Sequence, residues 1–542
     1  MSFPAVRGLY RRNQLWADHS NDNTGRNHLM SDAPALPTQR TQPAQPIDRA
    51  RWFALGVLCV GMLMIVLDMT VVNVALPAIQ RDLGFSQSAL AWVMNAYLIA
   101  FGGLLLLAGR LGDLISRRGV FLAGLAVFTT ASLICGVSPS PEILVSARFV
   151  QGVGGAMTSA VILGMIVTMF PEPQEQAKAI GFYAFVASAG GSVGLLAGGV
   201  LTQLISWHWI FFINVPIGLA TAALGVRLLA KDTGIGFAGG ADVLGAALIT
   251  ASMVVGVYTI VEPAAKYGWT AGQTLVLAAF AVALLVGFVA REATTANPLV
   301  PLRIFRSRNV TGANVVQAMT IAGLFGMFFL GAIYLQQVLG YDALQTGLAY
   351  LPTTLVMGTL SVRYSERLIM RFGPRAVLLA GLVPIVIGLA FFARVPIDGN
   401  YTLDILPSML LIGSGVGASF PALMSLAMSG ATPQDAGLAS GLVNTTAQVG
   451  AAVGLAVLAT LSATQTQALL ADGGSPTEAL TGGSHLGFWV AAGLVLAALG
   501  VAGAVFRPAP ATSENDAAEC AVHDAAGSRG THRDIDAMCV CS

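Results

Sequence analysis

Two opposite charges stand where an apolar chain should exclude them. Asp68 lies in L-D-M-T-V-V-N-V-A-L-P, Leu67 to Pro77, within an apolar run that begins at Trp52, and Arg148 opens R-F-V-Q-G-V-G-G inside another such run. An ionisable side chain at lipid depth costs at least about 2.5 to 3.5 kcal/mol unless a partner or a wet cavity receives it. Counted at about 1.5 Å per residue from the ends of their stretches, Asp68 is roughly 12 Å deep and Arg148 roughly 8 Å, so the two can meet at one level. Burial disfavours the charged form of a carboxylate and a nearby guanidinium favours it, and the balance decides whether a proton can be exchanged. A carboxylate that alternates between an ion pair and a proton is a coupling device; a permanent pair only locks two helices together. Asn73 and Gln151, near the same depth, are candidate polar groups of a cavity or, equally, hydrogen-bond ties between helices.

The elements that carry these residues follow from composition. The 542 residues are 55% hydrophobic and 10% charged, against about 25% charged for an ordinary soluble domain, so the fold class is an all-α polytopic membrane protein. Apolar segments of about 20 residues predict fourteen spans. The predicted organisation is a disordered tail over 1–50, six spans within 51–230, two further spans and a linker within 231–308, six spans within 309–506, and a disordered tail over 507–542. The first tail has no short apolar core of a cleavable leader, so the chain from Trp52 is expected to act as an uncleaved anchor, with Met1 and Met30 both open as starts. Of the 28 Lys and Arg, 24 fall in the tails and alternate loops that share one side, and three in the other loops. The positive-inside rule then puts both termini in the cytoplasm, and Trp92, Trp207, Trp209, Trp269 and Trp489 near the outer interface.

Several chemistries are not indicated. There is no G-x-x-x-x-G-K-[ST] loop for ATP, and no nucleophile, base and orienting group converge. Cys520, His523, His532, Cys539 and Cys541 match no structural zinc spacing. No cofactor, metal or nucleic-acid partner is expected. The remaining motifs concern packing. G-R-L-G-D-L-I-S-R-R places Gly109 and Gly112 for close helix approach, Asp113 as an acceptor at a helix end, and Arg117 with Arg118 to bridge helix C-termini. In G-G-S-V-G-L-L-A-G-G, Gly190, Gly194 and Gly198 form one smooth helix face.

Taken in order, L-D-M-T-V-V-N-V-A-L-P, the Gly109 to Arg118 loop, R-F-V-Q-G-V-G-G and W-H-W-I-F-F-I-N-V-P-I-G (Trp207 to Gly218) resemble the successive signatures of the major facilitator superfamily. More narrowly, they resemble its fourteen-span drug:proton antiporter branch, the EmrB/QacA type. The resemblance implies two six-helix bundles around a central cavity, two extra helices between them, and alternating access. It also implies proton coupling through Asp68 and Arg148, and a cytoplasmic gate at Gly109, Gly112, Asp113, Arg117 and Arg118. Leu114 stands where the family commonly has a basic residue and Ser116 where it has glycine, which thins the gate's charge network. Leu195 replaces a usual proline, removing a kink, and His208 stands where arginine is frequent.

The second half shows only neutral groups at depth, Asn314, Gln317, Tyr334, Gln336 and Gln337, so coupling is expected in the first half. Asn314, Gln317 and Tyr334 are the cavity candidates there, and Asp242, Glu262 and Asp404 are expected at the interfaces. The function so implied is proton-coupled efflux of amphipathic or cationic small molecules by a monomer in a bacterial plasma membrane. An exporter dedicated to one antibiotic or lipid is the nearest rival, and a non-transporting membrane sensor the remote one.

Overall fold

Serine, aspartate and proline signals set where many of the helices begin. Ser116 accepts from Gly119 N at 2.9 Å, Ser140 precedes Pro141, and the pairs Asp342–Gln345 and Ser475–Glu478 form reciprocal capping boxes. The structure, a computed structural model, describes residues 49–234, 236, 240–429 and 436–506. The two expected tails, apart from Arg49 and Ala50, and the cysteine and histidine cluster of the last one lie outside these residues.

The first half is built from α1 (Arg49–Leu83), α2 (Trp92–Leu114), α3 (Arg117–Gly136), α4 (Pro141–Met169), α5 (Pro173–Leu204) and α6 (Asn214–Leu228). A hairpin follows, α7 (Val243–Thr259) and α8 (Gly272–Thr294). The second half is α9 (Arg308–Ile333), α10 (Ala343–Thr359), α11 (Ser365–Phe392), α12 (Leu406–Ser429), α13 (Ala436–Ala471) and α14 (Pro476–Val505). Within the first half α2 and α3 pack on α4, and α1 on α5 and α6; within the second α9 packs on α13 and α14, and α11 on α12. The halves meet through α5 against α10 and α2 against α13, while the hairpin leans on α2.

With lipid on the outside, no hydrophobic effect drives these helices together, and close packing must do it. Glycines provide the approach. A Cβ on Gly199 would lie 2.8 Å from Ala343 O, and one on Gly347 2.5 Å from Leu195 O, so α5 and α10 touch nearly backbone to backbone. The predicted Gly190, Gly194, Gly198 face turns instead to α1, against Leu63 and Val66, Thr70, and Val71 respectively.

Among the described residues, twelve helical stretches are long and apolar enough to cross a membrane, where the sequence predicted fourteen. The difference has two sources. One of the twelve, Ala343–Phe392, runs for 50 residues, or about 75 Å at 1.5 Å per residue, more than twice a bilayer core. Inside it Gly373 adopts φ 77°, the left-handed conformation that favours glycine, immediately before Pro374. The other source is α5, a helix of 32 residues that is not among the twelve.

The two ends of the bundle differ in chemistry. At one end Arg117 donates to Gly164 O, Arg118 to Val226 O, Arg308 to Ala504 O and Arg375 to Gly503 O. This is the Arg-rich face. At the other, Trp207 donates to Asp82, Gln336 to Val74 O and Gln337 to Gln80, the last two tying the turn that follows α9 to α1 across the halves.

Candidate functional site

Asp68 sits in the middle of α1, 1% exposed, and receives three donors. Arg148 Nη1 of α4 donates to Oδ2 at 2.6 Å; Gln151 Nε2, one turn further along α4, and Asn214 Nδ2 of α6 both donate to Oδ1, at 2.7 and 3.1 Å. Arg148 is also 1% exposed. Its Nη1 reaches Gln151 Oε1 at 2.6 Å, its Nε donates to Val93 O of α2 at 2.9 Å, and its guanidinium lies 4.5 Å from the centre of the Tyr97 ring. Ser132 of α3 completes the network, accepting from Gln151 and Asn214 at 3.1 and 3.0 Å and donating to Phe211 O at 2.9 Å. Five of the six helices of the first half thus converge on one carboxylate.

This arrangement stabilises a charge that hydrocarbon would reject. Hydrogen bonds to a charged group contribute about 1.5–3 kcal/mol each, and the three here, one of them from a guanidinium, stabilise a charge placed at this depth. Removing one partner of such a buried pair costs about 3–5 kcal/mol, because the other charge is left uncompensated. Met69, Met94, Tyr97 and Leu98 of the first half and Phe325 of α9 line a narrow space against Arg148. The pair therefore borders the junction between the halves through an apolar wall.

The other sequence candidates divide. Gln151 joins the network, whereas Asn73 does not: its Nδ2 bonds Met69 O in its own helix at 3.2 Å, and its Oδ1 is buried without a partner. In the second half Asn314 ties α9 to α13, donating to Val310 O and accepting from Thr446, both at 2.8 Å. Gln317 is buried. Tyr334 departs from the cavity position expected of it: its hydroxyl donates to Pro396 O at 2.5 Å, in the connection between α11 and α12. A wider π-type turn at Tyr334–Val338 directs the ring there. Of the three acids expected at interfaces, Glu262 is exposed and Asp404 half-buried. Asp242 stands at a helix end too, capping α7, and is 3% exposed and paired with Arg291 at 3.2 Å.

At the Arg-rich face Asp113 pairs with Arg117 at 2.8 Å, and Arg117 reaches α4 and Arg118 reaches α6 through the carbonyls named above. A Cβ on Gly112 would collide with Val161, and one on Gly109 would meet Ala160 at 3.9 Å, both on α4. The sequence reading missed Asp232. It accepts from Ser116 Oγ at 2.5 Å and from the backbone N–H of Arg117 and Arg118 at 2.6 and 3.2 Å, at the positive end of α3. Ser116, where glycine would be usual, thus holds an acid that partly restores the thinned charge network. Its burial pushes the Asp232 carboxyl up, but the donated bonds outweigh this and leave it below its ordinary value. Ser132, Asn214 and Tyr97 were missed as well. Asn214 stood inside the Trp207 to Gly218 motif, where an asparagine opening a helix reads as a cap.

The comparisons with known proteins agree with this architecture. The chain is 38% identical over 462 residues, 85% of its length and 91% of the relative's, to the puromycin resistance protein pur8 of Streptomyces alboniger. It is 37% identical over 389 residues, 71% of its length and 80% of the relative's, to the cephamycin export protein CmcT of Amycolatopsis lactamdurans. Among solved structures it resembles an inward-facing, unoccupied bacterial homologue of the human lysosomal transporter Spinster, with a TM-score of 0.62 at 15% identity over 86% of this chain and 100% of that one. The profile described as Major Facilitator Superfamily matches residues 58–455. With that match over most of its length, and two bundles that meet through α2, α5, α10 and α13, the chain belongs to the Major Facilitator Superfamily.

Proposed function

We propose that this protein is a proton-coupled exporter of amphipathic or cationic small molecules that works by alternating access. The observation that carries the reading is the Asp68–Arg148 pair, buried, hydrogen-bonded and set against the wall between the two halves. Protonation of Asp68 cancels the charge that three donors, one of them the Arg148 guanidinium, serve, so proton uptake frees Arg148 and favours a different arrangement of α1 and α4. Each proton moved inward across 100 mV supplies about 2.3 kcal/mol, a concentration ratio of roughly fiftyfold. The names of the relatives, resistance and export proteins, support outward transport of antibiotics.

The topology that fits is fourteen crossings. The 50-residue helix counts as two, divided at Gly373, and α5 counts as one. The Arg-rich face is then cytoplasmic and the face of Trp209, Trp269 and Trp489 external. In this reading the Gly109–Arg118 loop, with Asp232, gates the cytoplasmic side, and the Gly190, Gly194, Gly198 face lets α1 and α5 slide. Asn314 and Gln317 supply neutral polarity to the second half. The protein acts as a monomer in a bacterial plasma membrane.

Breadth of substrate is the open choice within this function, and relatives named for single antibiotics make a dedicated exporter the second reading. Purified protein in vesicles with an imposed proton gradient decides between them. Uptake of several chemically unrelated dyes is expected, and activity on one compound alone would select the dedicated exporter.

A further inference from the structure

The α7–α8 hairpin carries a pair of acids that the Asp68 network does not use. Glu292, near the end of α8, and Asp242, at the start of α7, are each 3% exposed. Asp242 is well served: Oδ1 accepts from Gly245 N at 2.9 Å, and both oxygens lie 3.2 Å from Arg291 Nε. Glu292 is not. Its Oε2 accepts from Val300 N at 2.9 Å, while its Oε1 is buried and has no hydrogen-bond partner. The two carboxylates converge over Gly245, where a Cβ would stand 2.8 Å from Asp242 Oδ2 and 2.9 Å from Glu292 Oε1. Among the described residues, Arg291 pairs with Asp242. The nearby cation on the packed helix α2, Arg110, donates to Gly240 O at 3.2 Å.

Ionised carboxylates only accept hydrogen bonds, so two that face each other lack a donor between them. We propose that Glu292 is a proton-binding site, holding a proton on Oε1 that it shares with Asp242 Oδ2. The neutral acid donates to Asp242 and still accepts from Val300, which satisfies every oxygen of the pair. Two like charges in one buried site resolve in this way by retaining a single proton between them.

What the proton controls is set by Val300. With Leu299 and Ile304 it belongs to one hydrophobic cluster that includes Ala246 of α7, Val310 of α9 and Leu442 of α13, with Leu104, Leu106 and Leu107 of α2 and Met428 of α12 packed against that cluster. The short segment 299–304 is therefore part of a cluster drawn from both halves and the hairpin. Loss of the proton leaves two facing carboxylates with no donor between them, and their repulsion displaces Glu292 together with the segment it holds through Val300. The extra helices thereby make the contact between the halves at the Arg-rich face sensitive to pH, whether or not Asp68 couples transport.

Full-length protein in nanodiscs, titrated from mildly acidic to mildly alkaline pH in sodium-free buffer, tests this by infrared difference spectroscopy and hydrogen exchange. Wild type should lose a protonated-carboxyl band as pH rises, and amide exchange over 299–304, corrected for its intrinsic pH dependence, should rise at least about tenfold over the same interval. In Glu292→Gln the band should be absent and the exchange flat, whereas Asp68→Asn should retain both transitions. If Glu292→Gln does not fold, Asp242→Asn carries the reading, since removing the like charge beside Arg291 should move the transition down by about one pH unit or more. A wild type with no titrating band and flat exchange would overturn the proposal. So would an unchanged transition in the variants, or protection of 299–304 by sodium at fixed pH, which would indicate a metal-cation site instead.

Discussion

The two halves share a fold but not a chemistry. In the first, a buried carboxylate and guanidinium are enclosed by Gln151, Asn214, Ser132 and Tyr97, drawn from five helices. Among the described residues of α9 to α14, no carboxylate is buried, and Asn314 with Thr446 makes a neutral tie between two helices. Charge needs a built environment and a neutral amide does not, so the first half devotes its interior to one site while the second can present a less specific, mainly apolar surface. Such walls discriminate weakly between ligands. Under the proposed function, energy conversion belongs to the first half and the second is free to vary with substrate.

The comparison breaks most visibly if its charge is left unpaired. Arg148→Ala strands Asp68 among neutral donors and should lower stability by about 3–5 kcal/mol, read as a large loss of folded protein in a detergent melt. The doubly neutral Asp68→Asn, Arg148→Gln protein should recover most of that stability yet remain inactive in gradient-driven export. The two asparagines sharpen the contrast: Asn214→Ala removes a bond to a charged group, about 1.5–3 kcal/mol, whereas Asn314→Ala removes neutral bonds at about 0.5–1.5 kcal/mol each. Export should fall severalfold or more in the first and less than about twofold in the second, since only the first touches the coupling site. Equal losses would erase the distinction between the halves. The smallest effect belongs to Asp232. Its carboxyl lies below the ordinary value of 3.8, so its bonds to the start of α3 are fully present above that value and are lost as pH falls through the lower, folded one. Asp232→Ala should cost about 1 kcal/mol, as for the loss of a helix cap, with no change across neutral pH; a change confined to neutral pH would refute the assignment.

Much of this was legible because charge in an apolar run is conspicuous. Asp68 and Arg148 stood out by type, and counting residues placed them at one depth. Asn214 and Ser132 did not, because small neutral polar residues occur throughout membrane helices and nothing local marks which of them meet. Tyr334 misled for a related reason: the wide turn that swings its ring towards Pro396 has no signature in the residues that form it. Glu292 resembles any acid near a helix end until the segment 299–304 folds back and covers it. The count of spans was affected by continuity, since α10 and α11 run on without an intervening loop as far as the bend at Gly373.

The most direct measurement is transport by Asp68→Asn in vesicles, comparing gradient-driven export with substrate exchange at equal pH on both sides. Asparagine resembles the protonated acid in shape and charge, so exchange between equal pools should persist while acceleration by a proton gradient disappears. Export that still responds to the gradient as it does in the native protein would contradict the assignment of proton coupling to this carboxylate.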